Sequence, residues 1–102
     1  MSGATWQSLS AECCELSGHL DRDSVPALWR TLQQWQPQAQ NVEWSLKAVN
    51  RIDSAGMVML IHLIEHAKKQ NCHIMLSFVP VELNTLFQLS NIRKELAGHI
   101  KN

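Results

Sequence analysis

Two spacings of apolar residues alternate along the chain. Thr5 to Ser10 and Glu12 to Gly18 read as two short strands, the second ended by Gly18 and the Asp21-Arg22-Asp23 cluster. Val42, Trp44, Leu46 and Ala48 alternate with Glu43, Ser45 and Lys47, the period of a strand with one buried face. Ile74, Leu76 and Phe78 form a further strand closed by Pro80. Between these lie stretches of helical period. Val25, Leu28, Trp29, Leu32 and Trp35 follow a candidate cap at Ser24, with Pro26 in the first turn and Pro37 as the stop. The strongest helix runs from about Ser54 to Gln70. A third carries Leu83, Leu86 and Phe87, with Leu89 nearby, and breaks at Ser90-Asn91. Ile92, Leu96 and Ile100 suggest a final short helix. The order ββαβαβα plus a C-terminal helix predicts an α/β domain on the α+β border, a small mixed sheet with helices packed on it. The first two strands suit an antiparallel hairpin, and the helical connections suit parallel crossovers.

The helix beginning at Ser54 has two unlike sides. At 100° per residue, Leu60, Leu63, Ile64 and Ala67 cluster on one side, with Met57 at its edge. His62, Glu65, His66 and Lys69 occupy the other, and Val58 and Met59 fall on or near that polar side, close to the helix start. Apolar residues there, beside Ser54, suggest a small docking patch. Asp53 or Ser54 can accept hydrogen bonds from the free amides of the first turn. Gly56 costs a helix about 1 kcal/mol relative to alanine. It makes sense where another backbone or a partner approaches closely. The helix start favours negative charge, yet a phosphate on Ser54 would add bulk and charge to any surface docked there.

Composition narrows the function. The 102 residues are expected to form a single domain, residues 1–102. Nine basic residues balance nine acidic ones, which argues against nucleic-acid binding, where neutralisation of phosphates supplies most of the affinity. The longest apolar run, Ala55 to Ile61 with Gly56 inside it, is far short of the roughly 20 residues that span a bilayer. The N-terminus lacks the basic and apolar regions of a secretory signal, so the chain is expected to stay in the cytoplasm without inserting into the membrane. Cys13, Cys14 and Cys72 contain no C-x-x-C and read as reduced, mostly buried thiols.

Leu16-Ser17-Gly18-His19-Leu20-Asp21 resembles the L-x-G-x-L-D of the second strand and turn of STAS domains. Arg51-Ile52-Asp53-Ser54-Ala55-Gly56 resembles the family's loop, in which an acidic residue precedes a Ser or Thr and a glycine follows two positions on. The similarity is greatest to the MlaB type, carried by the run Leu60 to Gln70 and by Val25-Pro26-Ala27-Leu28-Trp29. The chain departs from many members in having Ser45 near the end of the central strand and alanine after Ser54. The resemblance implies a STAS fold over nearly the whole chain and a protein-binding module with no catalytic machinery and no cofactor. The implied partner is the ATPase subunit of a phospholipid-transporting ABC complex that maintains outer-membrane lipid asymmetry. The module would then be cytoplasmic and peripheral to the inner membrane through that complex. The implied contact comprises Asp53, Ser54, Ala55, Gly56, Val58, Met59, His62 and Glu65. The anti-sigma-factor antagonist branch offers an alternative, a switch in which a partner kinase phosphorylates Ser54.

His62-Leu63-Ile64-Glu65-His66 also spells H-x-x-E-H, the inverted zincin pattern, and a zinc hydrolase using His62, Glu65 and His66 is a remote alternative. Only 36 residues follow His66, with Glu82 and Glu95 as their carboxylates and His73 and His99 as their imidazoles. That leaves little from which to build a third ligand and a substrate cleft. A solvated face with Glu65 and Lys69 as an i,i+4 pair accounts for the same residues. A domain this small also offers little room for two acyl chains, so no small-molecule substrate is expected.

Overall fold

The computed structural model describes residues 3–90 and 96–101. Its strands are β1 (Thr5–Ser10), β2 (Cys13–Leu20), β3 (Asn41–Ile52) and β4 (His73–Ser77). Its helices are α1 (Val25–Leu32), α2 (Ser54–Lys68) and α3 (Val81–Ser90), and a 3-10 turn covers Ala97–His99. The strands form one sheet in the order β1-β2-β3-β4. A tight link makes β1 antiparallel to β2, and the crossovers through α1 and α2 make β2, β3 and β4 parallel. The fold is a mixed α/β sheet with the expected element order.

β1 is an edge strand and almost wholly exposed. Its pairing with β2 runs in register from Thr5–Ser17 to Ser8–Cys14, then shifts so that Ser10 meets Cys13 and Leu9 has no partner. β3 is longer than its alternation predicts, because it continues past Ala48 to Ile52. β4 stops pairing with it at Ser45, so the last residues of β3 are bonded to β2 alone. Asn50 and Arg51, in that one-sided stretch, are exposed, and the alternation already fails at Ser45, which is buried where β3 is paired on both sides. The extension delivers the chain directly into α2.

The core lies between the sheet and the helices. Leu16, Trp44, Leu60, Leu63, Ile74, Leu76 and Leu83 have essentially no exposed surface. Trp44 sits edge-on to Trp35 at 5.1 Å between ring centroids and tilted to Trp6 at 5.8 Å. The predicted buried face of α2, including Met57, is buried as the helical period requires.

Several local expectations are corrected. Ser24 occupies the cap position of α1, but its side chain makes no capping bond. Its hydroxyl donates to the His19 carbonyl and accepts the Asp21 amide instead, which ties the β2–α1 turn together. α1 ends at Leu32, and Trp35 reaches the core through tight turns bonded back to Thr31 and Leu32. Phe78 lies beyond β4 with φ of 54° and a 61% exposed side chain, so it is not a core residue. The Lys47 ammonium stands 5.4 Å from its ring centroid. Ile100 is not helical: it makes a parallel bridge with Leu76, while Ile92 lies outside the described residues.

Candidate functional site

The end of β3 and the start of α2 form a junction with β2. Asp53 has extended backbone geometry, and its Oδ1 accepts the amides of Ala55 at 2.9 Å and Gly56 at 3.2 Å. Its Oδ2 accepts the Arg22 amide at 3.3 Å, which joins the β2–α1 turn to the same carboxylate. The Asp53 amide in turn donates to the Leu20 carbonyl at 3.1 Å. Asp53 is therefore the cap, and Ser54 is the first helical residue with an exposed side chain.

The close approach expected at Gly56 comes from inside the molecule. A β-carbon there would stand 2.4 Å from the Leu20 carbonyl oxygen. Gly56 is buried, so it lets β2 and α2 touch and presents no side chain outward. Its expected place on an outer contact surface is corrected accordingly.

Met59 is corrected as well. The wheel places it near the polar side of α2, yet it is 2% exposed. A helical wheel measured against the sheet does not register a second helix. α1 packs beside α2, its Trp29 lying against His62 and His66, and Met59 on that side becomes interior. Val58 remains 45% exposed, and Ser54, His62 and Glu65 are exposed. Asp53 and Ala55 are half-buried.

Between the two helices runs a groove of about 440 Å³. Val25, Pro26 and Trp29 form the α1 wall; Ser54, Ala55, Val58, Met59 and His62 form the α2 wall. Glu65 lies outside it. Trp29 is half-buried and packs against His62 at 5.9 Å and edge-on to His66 at 6.2 Å. Sequence reasoning assigned Val25 and Trp29 to the apolar stripe of α1 and missed their role as a wall. Their i,i+4 spacing was the available signal, but the groove exists only once α1 lies against α2.

The H-x-x-E-H residues face different surroundings. His62 lies against the Trp29 ring, and His66 Nε2 stands 3.3 Å from the Trp35 carbonyl oxygen. Among the described residues, no three His, Cys, Asp or Glu side chains gather around a point that suits a metal ion. Burial pushes the Cys14 thiol up to about 11 and raises Cys72 as well, which suppresses thiolate chemistry. No helix among the described residues is long and apolar enough to cross a membrane.

Comparison with known proteins gives a consistent result. The family described as "Mlab, STAS domain" matches residues 7–98. The intermembrane phospholipid transport system binding protein MlaB of Escherichia coli (strain K12) is 35% identical over 77 residues, 76% of this chain and 77% of that protein. The protein of the same name from Shigella flexneri matches to the same extent. Among solved structures, the anti-sigma factor antagonist SpoIIAA in its unphosphorylated form superposes with a TM-score of 0.71 at 14% identity, covering 97% of this chain and 86% of that one. A sulfate transporter family protein from Wolinella succinogenes gives 0.68 at 20% identity, covering 87% and 74%. At such identities the two structures share the fold alone.

Proposed function

The chain belongs to the MlaB family of STAS domains, and from that membership we propose that it is a non-catalytic docking subunit of a phospholipid-transporting ABC complex. Its partner is the ATPase subunit, which it supports or regulates from the cytoplasmic face of the inner membrane. The observation that carries this reading is the α1–α2 groove, an apolar channel that opens beside a small neutral hydroxyl at the start of a helix. Trp29 and Val58 give it the apolar anchors, and His62 gives it a polar margin, the composition typical of a contact centre and its rim. Asp53 and Gly56 act from beneath by fixing where α2 begins. Met59 supplies the floor.

Close packing against Ser54 requires a small uncharged side chain. Ser54→Glu or Ser54→Arg would leave an unpaired ion in a desolvated contact, which costs about 3–5 kcal/mol. A loss of that size weakens binding by a hundredfold or more. Ser54→Thr adds one methyl group and is expected to bind nearly as well as the native protein. Because Ser54 is exposed in the free chain, all three variants should melt like the native protein. The test is capture of the ATPase subunit by each variant. Undiminished capture by both charged variants, with melts unchanged, would move the interface elsewhere.

A second reading also has an observation in its favour. Ser54 is exposed at a helix start, where a phosphate would meet the positive end of the helix dipole. A kinase-driven switch of the anti-sigma-factor antagonist kind would use that position. Phosphate on Ser54 in protein isolated from its host, read by mass spectrometry, would favour it. Its absence under all growth conditions would remove it.

A further inference from the structure

The C-terminal residues 98–101 are held on the outer edge of β4 by an array of contacts that centres on two imidazoles, beyond Leu96, which is buried in the core. The Lys101 amide donates to the Leu76 carbonyl at 2.8 Å, and Ile100 bridges Leu76. His99 Nδ1 donates to the Ile74 carbonyl at 2.8 Å, which reaches from the segment to the strand. His73 Nε2 donates to the Gly98 carbonyl at 2.9 Å, which reaches back from the strand to the segment. The two rings stack with centroids 4.5 Å apart and planes 24° from parallel. His99 is 5% exposed, whereas His73 is open to solvent. Each ring donates one N–H to a carbonyl, which leaves its second nitrogen as the position a further proton would take.

We propose that His73 and His99 form a proton-sensitive latch that keeps residues 98–101 on the edge of β4 and releases them when the pair takes up a proton. A proton on either ring sets a cation against its neighbour at stacking distance, and on His99 it must also be buried. The surrounding charges do not relieve this. Lys68, from the end of α2, opposes a cation on His99, as does His73 from β4. Glu43, from β3, is engaged by the Lys101 ammonium at 2.9 Å. Cys72, just before β4, is a buried thiol whose pKa is raised, and it offers no compensating anion.

The direction with pH rests on the same contacts. Burial holds His99 below the ordinary imidazole range, opposed by the Ile74 carbonyl and reinforced by His73 and Lys68. Once the segment is released, His99 regains a pKa of about 6.5. The released state then binds more protons than the docked one, so docking is complete above that value. It weakens as the pH falls from there toward the lower value of the docked ring. Release would uncover the outer edge of β4. It would also open one side of a cavity of about 400 Å³ at Glu43, Ser77 and Asn84, which Ile100 and Lys101 now line.

Amide hydrogen exchange of the full chain, followed by NMR at about pH 7.5 and about pH 5.5, on either side of the ordinary histidine value, provides the test. The protection factor of the Lys101 amide, relative to its unstructured rate, should fall at the lower pH, by up to about tenfold. That of Leu63 in α2 should hold. The His99 ring resonances should titrate below the ordinary histidine range. His99→Asn keeps a donor near the Nδ1 position without a titrating ring, and should abolish the pH dependence. Equal Lys101 protection at both pH values would overturn the latch, as would a parallel loss at Leu63 or an unchanged pH dependence in His99→Asn. Should His99→Asn fail to dock at either pH, the native His99 titration decides: an ordinary or raised value refutes the proposal.

Discussion

Replacing Gly56 with alanine sets two effects of opposite sign against each other. Helix propensity alone favours the variant by about 1 kcal/mol. Against that, the new β-carbon would lie 2.4 Å from the Leu20 carbonyl oxygen and 2.8 Å from both Leu20 Cβ and Ile52 Cγ1, where ordinary contact begins near 3.4 Å. The nearest atom is main chain and cannot swing aside. It also accepts the Asp53 amide, so moving it strains the hydrogen bond that seats the start of α2. Overpacking at the upper end of its usual range costs about 3 kcal/mol, and the weakened bond adds about 1. The net loss is about 3 kcal/mol, or about 12–24 °C in Tm for a domain near this size. Urea unfolding and a thermal melt of Gly56→Ala measure it. Gly98→Ala is the control, because nothing lies within 4 Å of a β-carbon there, and its stability should change little. A Gly56→Ala protein as stable as the native chain, or more so, would refute the close approach of β2 and α2.

Two further substitutions probe the same helix. Leu63→Ala removes a side chain with no exposed surface and should cost about 2–5 kcal/mol in chemical unfolding. A near-neutral value would mean that α2 presents another face to the sheet. Asp53→Ala removes the acceptor for the Ala55, Gly56 and Arg22 amides and should cost about 1–2 kcal/mol. Asp53→Asn should retain most of that stability, and equal losses in both would point to the charge rather than the hydrogen bonds.

The features legible in the sequence were those that depend on local periodicity and backbone chemistry. The apolar stripe of Leu60, Leu63, Ile64 and Ala67 requires only a helix and one surface to face, and it is buried as read. Val42, Trp44 and Leu46 are likewise buried as read, but Ser45, read on the open side of the strand, is buried too, between the paired strands β2 and β4. Met59 was misread because its burial depends on a second helix, whose position is set by the crossover between β2 and β3. Trp29 belongs to the same class: its stripe was visible, but its neighbour was not. Phe78 keeps the alternation of Ile74 and Leu76 going in sequence. Its backbone has already turned into the left-handed region on the way to Pro80. Ile100 is paired to Leu76, a partner that helical spacing does not reveal. At the site, the acidic cap and the glycine were legible as types, while their actual partners, Arg22 and Leu20, lie more than thirty residues upstream.

The unpaired Leu9 in β1 bears on how safely this protein can be concentrated. An edge strand with neither charge nor proline, Thr5 to Ser10, offers free main-chain donors and acceptors to any other extended chain. Stacking into a fibril calls for about six or seven flat residues in register. The slip between Ser8 and Ser10 interrupts the flat run after Ser8 and bends the end of the strand. Leu9, which looks like a misplaced apolar residue at 54% exposure, thus marks the point where the edge stops being a template for self-assembly.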